Sequence, residues 1–168
     1  THGGLTAHLA KKCRAKVFVP EYRLAPEHAM PAAIEDCLNC YEWLLSEGHK
    51  PAQITIAGDS AGAGLVMATA LRLKEKNLAQ PAGLVLMSPW VDLTLENLNK
   101  VNDKIDPLLR WSNLNPAAKL YLNGADPKDP LASAIFADLS GLAPMLIQVG
   151  SEEILLGDAQ KLYDQAQK

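Results

Sequence analysis

The sequence has no apolar run of 18 or more residues, so no segment of it reads as a bilayer-spanning helix, and stable membrane insertion is not expected. It has no excess of basic charge. Sixteen Lys and Arg against 19 Asp and Glu leave a formal charge of -3, which excludes the broad basic face of a nucleic-acid binder. It has three cysteines, Cys13, Cys37 and Cys40, too few and too unevenly placed for a disulfide framework. Cys37 and Cys40 fall on one helix face, but no strand leads into them as a redox motif requires. Buried or half-buried free thiols of a cytoplasmic protein are the expectation. The chain has no internal repeat, no low-complexity tract and no long charge run. Residues Thr1 to Thr6 have neither the charged nor the apolar stretch of a secretory leader. A chain that starts at Thr1 without a methionine suggests a segment upstream. The last absence concerns histidine: His2, His8, His28 and His49 all lie in the first third of the chain, and none follows.

What is present points to an ordinary globular chain. With 168 residues, 48% of them hydrophobic and 21% charged, residues 1–168 form one domain or part of a larger one. Short β-rich runs alternate with longer helical patterns. The spacing predicts a helix over 5–12 and a strand over 16–20, ended by Pro20. A helix follows from Pro31 to a cap at Gly48, with Ile34, Leu38, Tyr41, Leu44 and Leu45 on one stripe. Further strands are predicted over 53–57, 83–87 and 145–149, and further helices from Ala61 to about 77 and from about 155 to the end. This order predicts an α/β fold, a mostly parallel sheet flanked by helices on both faces. A helical and loop excursion between about 92 and 144 interrupts it. Asp106-Pro107, Asn115-Pro116, Asp126-Pro127 and Asp129-Pro130 punctuate that stretch, which holds one short helix over 115–122. An excursion of that length between two core strands is usually a lid or binding loop.

The sharpest chemical feature is Gly58-Asp59-Ser60-Ala61-Gly62, between a predicted apolar strand and a predicted long helix. A chain that turns sharply from strand to helix needs glycines on either side, because side chains there would meet neighbouring backbone. The turn exposes Ser60 at the carboxyl end of the strand and at a helix N-terminus, where free N–H groups favour developing negative charge. The Ala61 N–H is the natural oxyanion donor. The plainer alternative is a glycine-rich turn with a capping serine. A phosphate loop fits less well, since the Lys-Ser/Thr ending of that motif is missing. A serine nucleophile needs a base and a group to orient it. On this kind of elbow the chain order is serine, acid, histidine, and no histidine follows Ser60.

The sequence resembles the hormone-sensitive-lipase-like branch of the α/β-hydrolases, the bacterial family IV esterases. The stretches that carry the resemblance are Tyr22-Arg-Leu-Ala-Pro-Glu-His28, Gly58-Asp-Ser-Ala-Gly62, Leu86-Met-Ser-Pro-Trp-Val-Asp-Leu93, Asp129-Pro-Leu-Ala-Ser133 and Ile147-Gln-Val-Gly150. The resemblance implies an α/β-hydrolase core lacking the first strands and oxyanion loop upstream, and the last strand and catalytic histidine downstream. It implies a carboxylic-ester hydrolase acting through an acyl-serine intermediate on small-molecule esters, with short to medium acyl chains expected. It implies no cofactor and no metal. A non-catalytic, receptor-like binder on the same fold, or an amidase or thioesterase, is the alternative. Nothing in the sequence bears on oligomeric state.

Within that resemblance, His2-Gly3-Gly4 is not the oxyanion loop. It lies too close to Tyr22 and no strand precedes it. Thr1 is expected as a helix N-cap and His2 as a structural residue. The acid should follow the strand over 145–149. The commoner Asp-Pro-Leu-x-Asp pattern would place its first aspartate at Ile154, where this chain departs from it. A sub-branch pattern places the acid two residues after Gly150, which favours Glu152, with Glu153 as the alternative. Asp158 is expected as an exposed or capping residue of the last helix. Asp59 is expected to brace the elbow by bonding local backbone N–H groups. Glu27 and His28 read as structural, Trp90 as core or pocket wall, and Trp111 as acyl-pocket lining or plain packing.

Overall fold

A computed structural model of the chain describes residues 2–167, so the N-cap expected at Thr1 lies outside the described residues. The elements are α1 (Gly3–Cys13), α2 (Ala32–Ser46), β1 (Thr55–Asp59), α3 (Ala61–Glu75), β2 (Gly83–Met87), α4 (Trp111–Leu122), β3 (Met145–Gln148) and α5 (Leu156–Ala166), with short 3-10 turns between them. The three strands form one parallel sheet in the order β1-β2-β3. The α/β architecture with helices against a parallel sheet is therefore as the alternation predicts.

Strand pairing sorts the side chains into two faces. Leu84 of β2 pairs with Ile56 and Met145, and Leu86 pairs with Gly58 and Ile147. These rows pack with Ala63, Val66, Met67 and Ala70 of α3, Ile135 of a 3-10 turn and Leu162 of α5 into the main core. α3 is buried on two sides, by the sheet and by α2, which explains why eight of its 15 residues are buried. α2 presents the expected stripe, burying Ile34, Leu38 and Tyr41, and Gly48 takes φ 88° just past its end. That backbone region favours glycine.

Two expectations fail. The segment over 16–20 forms no strand. Val17, Phe18 and Val19 are 42%, 52% and 61% exposed, and no neighbouring strand among the described residues offers them a ladder. An apolar, β-branched run is a strand only where another backbone pairs with it. Among the described residues the sheet is also well covered on one face only. On the other, Ala57, Val85 and Leu146 line up in register, with Leu146 61% exposed. In the excursion, α4 starts at Trp111 rather than at 115, because the Asp103 carboxylate accepts the Trp111 N–H at 2.6 Å and supplies the first turn. No helix among the described residues is long and apolar enough to cross a membrane.

The excursion and α5 are held to the sheet by buried carboxylates. Asp92 Oδ1 accepts from the Thr94 N–H and hydroxyl, and its Oδ2 accepts from the Asn97 N–H and side-chain amide. Asp106 accepts the N–H groups of Leu108, Leu109 and Ile154. Burial works to raise the Asp106 pKa, but those three donors and Arg110 more than offset it and hold it below the usual carboxylate range. Asp158 is the correction to the sequence reading: it is neither exposed nor a cap. It is 0% exposed in the first turn of α5, and its Oδ2 accepts the Val91 and Asp92 N–H groups at 3.0 Å each. Its other oxygen is buried without a partner. Desolvation, opposed by those two N–H groups and reinforced by Asp92, pushes its pKa up to about 7.

Core placement sets one expectation for this chain. Leu86→Ala removes a fully buried side chain at the middle of the sheet and should cost about 2–5 kcal/mol. Leu146→Ala, on the open face, should stay within about 1 kcal/mol of the parent in chemical denaturation. Asp158 sets a second. Between about pH 4 and pH 7 the folded chain keeps a proton that the unfolded chain has released, so this group's contribution to stability falls as pH rises through that window. Asp158→Asn removes the titration. Denaturation across pH should therefore show the Asn variant gaining on the parent by up to about 1.4 kcal/mol per pH unit, then levelling above pH 7. A constant difference at all pH values would contradict a buried, proton-bearing Asp158.

Candidate active site

In a parallel sheet all strands end on the same edge, and the elbow and the acid loop both leave that edge. Ser60 follows β1 directly, with φ 58° and ψ −120°, and is the N-cap residue of α3. A non-glycine residue at positive φ costs of order 1–3 kcal/mol and persists only where the surroundings fix it. Here the Ser60 N–H donates to the Met87 carbonyl at 2.9 Å. The Ser60 carbonyl in turn accepts the N–H groups of Ala63, Gly64 and Trp90. A Cβ on Gly58 would collide with the backbone of Gly62 and Ala63, and one on Gly64 would lie 2.7 Å from the Trp90 carbonyl oxygen. Gly62 itself faces open space, so the elbow depends on Gly58 and on Gly64, which the motif does not include.

The Ser60 side chain makes no capping hydrogen bond to α3. A capping serine spends its oxygen on the N–H of the second or third helical residue; this one keeps its hydroxyl for other use. Ala61 and Gly62 are the first two residues of α3, and their N–H groups have no acceptor inside the helix. They open the helix immediately after Ser60, where unpaired N–H groups favour negative charge.

On the other side of β2, the acid loop leaves β3. Ser88 ties the ends of β2 and β3 together, its N–H donating to Gln148 O at 2.7 Å. Ser60 and the loop at 150–155 thus lie two strand spacings apart, roughly 10 Å, a gap for a third side chain to bridge. The two glutamates differ. Glu153 Oε1 accepts the Gly150 N–H at 2.7 Å and is committed to the loop's own backbone. Glu152 is exposed on the loop. The loop is braced from the excursion by Asn102, whose side-chain amide donates to Ser151 O and Glu153 O at 2.9 Å each. Asp106 adds a brace by accepting the Ile154 N–H. No sequence signal singled out Asn102; the Asp106-Pro107 step read only as a turn.

Asp59 differs from expectation. Its Oδ2 lies 2.8 Å from His2 Nε2, rather than on local backbone N–H groups. His2 is the N-cap residue of α1, so the structural role expected for it holds with a different partner. Glu27 and His28 are exposed on the loop before α2. Trp90 is buried among Leu93, Leu98, Leu114 and Ile154. Trp111, 48% exposed, lines a cleft of about 460 Å³ with Leu98, Ile154, Lys100 and Asp103. Burial, then Cys40 and Asp36, push the Cys37 thiol up to about 11, which disfavours the reactive thiolate.

The chain matches known proteins along its whole length. The alpha/beta hydrolase fold family matches residues 1–168. An esterase of Acinetobacter venetianus is 44% identical over 170 residues, covering 100% of this chain and 56% of that protein. An acetyl-hydrolase of Streptomyces hygroscopicus is 43% identical, with the same coverage of each. Among solved structures, a hormone-sensitive lipase from a metagenome library superposes with a TM-score of 0.96 at 48% identity, over 99% of this chain and 58% of that one. An esterase of the bacterial hormone-sensitive lipase family superposes at 0.97 and 41% identity, over 99% and 57%. The chain thus spans little more than half the length of the relatives it matches. It belongs to the alpha/beta hydrolase fold family, in the hormone-sensitive-lipase-like branch.

Proposed function

We propose that the protein containing this chain hydrolyses small-molecule carboxylic esters through an acyl-serine intermediate. Ser60 is the nucleophile, Glu152 the acid and the Ala61 N–H an oxyanion donor. The observation that carries this reading is Ser60 itself, held at φ 58° between strand and helix with its hydroxyl not used as a cap. The relatives named esterase and acetyl-hydrolase support the substrate class, and short to medium acyl chains are the expected range. The base is a histidine. None follows Ser60 in this chain, so the base belongs to the longer protein that these relatives imply.

In the reaction the histidine takes the Ser60 Oγ proton as the oxygen attacks the ester carbonyl. The Ala61 N–H, with further donors, holds the oxyanion. The imidazolium then protonates the leaving alkoxide, and Glu152 stabilises it meanwhile. Water, deprotonated by the same histidine, attacks the acyl-serine and releases the acid. The freedom of Glu152, against the local commitment of Glu153 to the Gly150 N–H, supports Glu152 for that role. Trp111, half-exposed near the loop over 150–155, offers apolar surface for the acyl chain.

In the full-length protein, Ser60→Ala should lower p-nitrophenyl ester turnover by about 10³-fold or more without unfolding it. Glu152→Gln should lower it by about 10²-fold or more, since the amide cannot stabilise an imidazolium. Glu153→Gln should be much milder. If Glu153→Gln is the damaging change and Glu152→Gln is near neutral, the acid is one residue further on. The 168-residue chain assayed alone should show no hydrolysis above its own Ser60→Ala control, for want of the base.

A further inference from the structure

His2 and Asp59 are 57 positions apart in sequence, yet His2 Nε2 lies 2.8 Å from Asp59 Oδ2. A carboxylate oxygen only accepts, so Nε2 carries the proton between them. The contact joins the first turn of α1 to the last residue of β1, immediately before Ser60. α1 buries none of its residues, so apolar packing does not fix where its first turn lies. The two side chains are 55% and 38% exposed, a setting in which an ion pair adds little to stability. What such a contact can do is set geometry.

The backbone around Ser60 is fixed by main-chain bonds on both sides: its N–H to Met87, and its carbonyl from Ala63, Gly64 and Trp90. None of these holds the Asp59 side chain. Among the described residues, His2 is the hydrogen-bond partner found for that carboxylate. Asp59 is the last residue of β1, paired with Met87 and one peptide from Ser60, so its carboxylate contact bears on the strand residue from which the elbow turns.

We propose that His2 and Asp59 form a positioning pair: their hydrogen bond fixes the strand side of the elbow and so aims Ser60 Oγ at the ester carbonyl. The proposal rests on Ser60 being the nucleophile. Neither residue touches substrate. The effect expected is on the rate of attack rather than on binding, because a nucleophile displaced by a fraction of an ångström loses near-attack geometry while the pocket that holds the ester is unchanged.

The test is a double-mutant cycle in the full-length protein with His2→Ala, His2→Gln, Asp59→Ala and the double Ala variant. Four quantities are read: kcat, KM, the rate of Ser60 labelling by an organophosphonate, and Tm. His2→Ala should lower kcat and the labelling rate about tenfold, with KM within about twofold and Tm within about 3 °C of the parent. His2→Gln, which keeps a donor to Asp59 Oδ2, should recover most of the rate. The double variant should be no slower than Asp59→Ala alone, since the two changes remove one interaction. Wild-type kcat in His2→Ala, or additive losses in the double variant, would overturn the pairing. So would a rise in KM at constant kcat, or a Tm drop that accounts for the lost rate. Loss to the level of Ser60→Ala without rescue by Gln would make His2 the base itself, which also overturns a positioning role. Ser60→Ala is run alongside. If it stays active, the ester-hydrolase reading fails; if it is dead while His2→Ala is unaffected, only the positioning pair fails.

Discussion

The positive φ of Ser60 is the constraint on which the rest of this end of the molecule depends. A serine at φ 58° and ψ −120° is held against its own preference, by of order 1–3 kcal/mol. Four main-chain hydrogen bonds offset that cost. One comes from the end of β2 and three converge on the Ser60 carbonyl. Each requires a neighbour to come close. Gly58 lacks a side chain because the first turn of α3 occupies that space, and Gly64 lacks one because the Trp90 carbonyl does. Ser88, at φ 45°, turns the chain between the end of β2 and Trp90, whose N–H donates to Ser60. The strain at one residue is thus distributed over the ends of two strands and the first turn of a helix.

Much of this was legible in the sequence because it is local. The strand–serine–helix order, the α2 stripe and the glycine after it depend on residues within a turn or two of one another, and period and punctuation read them correctly. The misreadings share a different cause. Whether 16–20 is a strand depends on a partner backbone, which no local pattern encodes. Asp158 looks like an ordinary polar residue of a first helical turn. Its burial follows from the Val91 and Asp92 amides, which arrive from 66 residues or more upstream. Asp59 reads as a local brace, and its partner is His2 at the other end of the chain's first half. The motif's last glycine, Gly62, looked sterically required and is not, while Gly64, outside the motif, is. In each case the deciding contact is long in sequence.

The loop over 150–155 shows how a polar excursion can stiffen what it leaves exposed. Residues 150–155 carry two glutamates at the carboxyl edge of the sheet, and apolar packing reaches them only through Ile154 and Leu155, both fully buried. Asn102 and Asp106 approach from the excursion and occupy the loop's backbone groups at Ser151, Glu153 and Ile154. Glu153 closes the loop on Gly150. With the backbone held on either side of it in this way, Glu152 is exposed on a fixed base. The excursion is therefore tied to the carboxyl edge of the sheet by hydrogen bonds to main chain, an arrangement that depends on a few Asn and Asp side chains more than on the apolar residues around them.

The buried Asp158 carboxyl has a consequence for calorimetry. With a pKa near 7 in the folded chain and an ordinary one when unfolded, folding at mildly acidic pH draws a proton from solution. The buffer must release that proton, and buffers differ in the heat this takes. Heats of unfolding measured at one pH in phosphate and in an amine buffer will differ by the difference in those ionisation heats, scaled by the fraction of a proton exchanged. A side chain that touches only two backbone amides thus makes the enthalpy of the fold a joint property of the protein and its solvent.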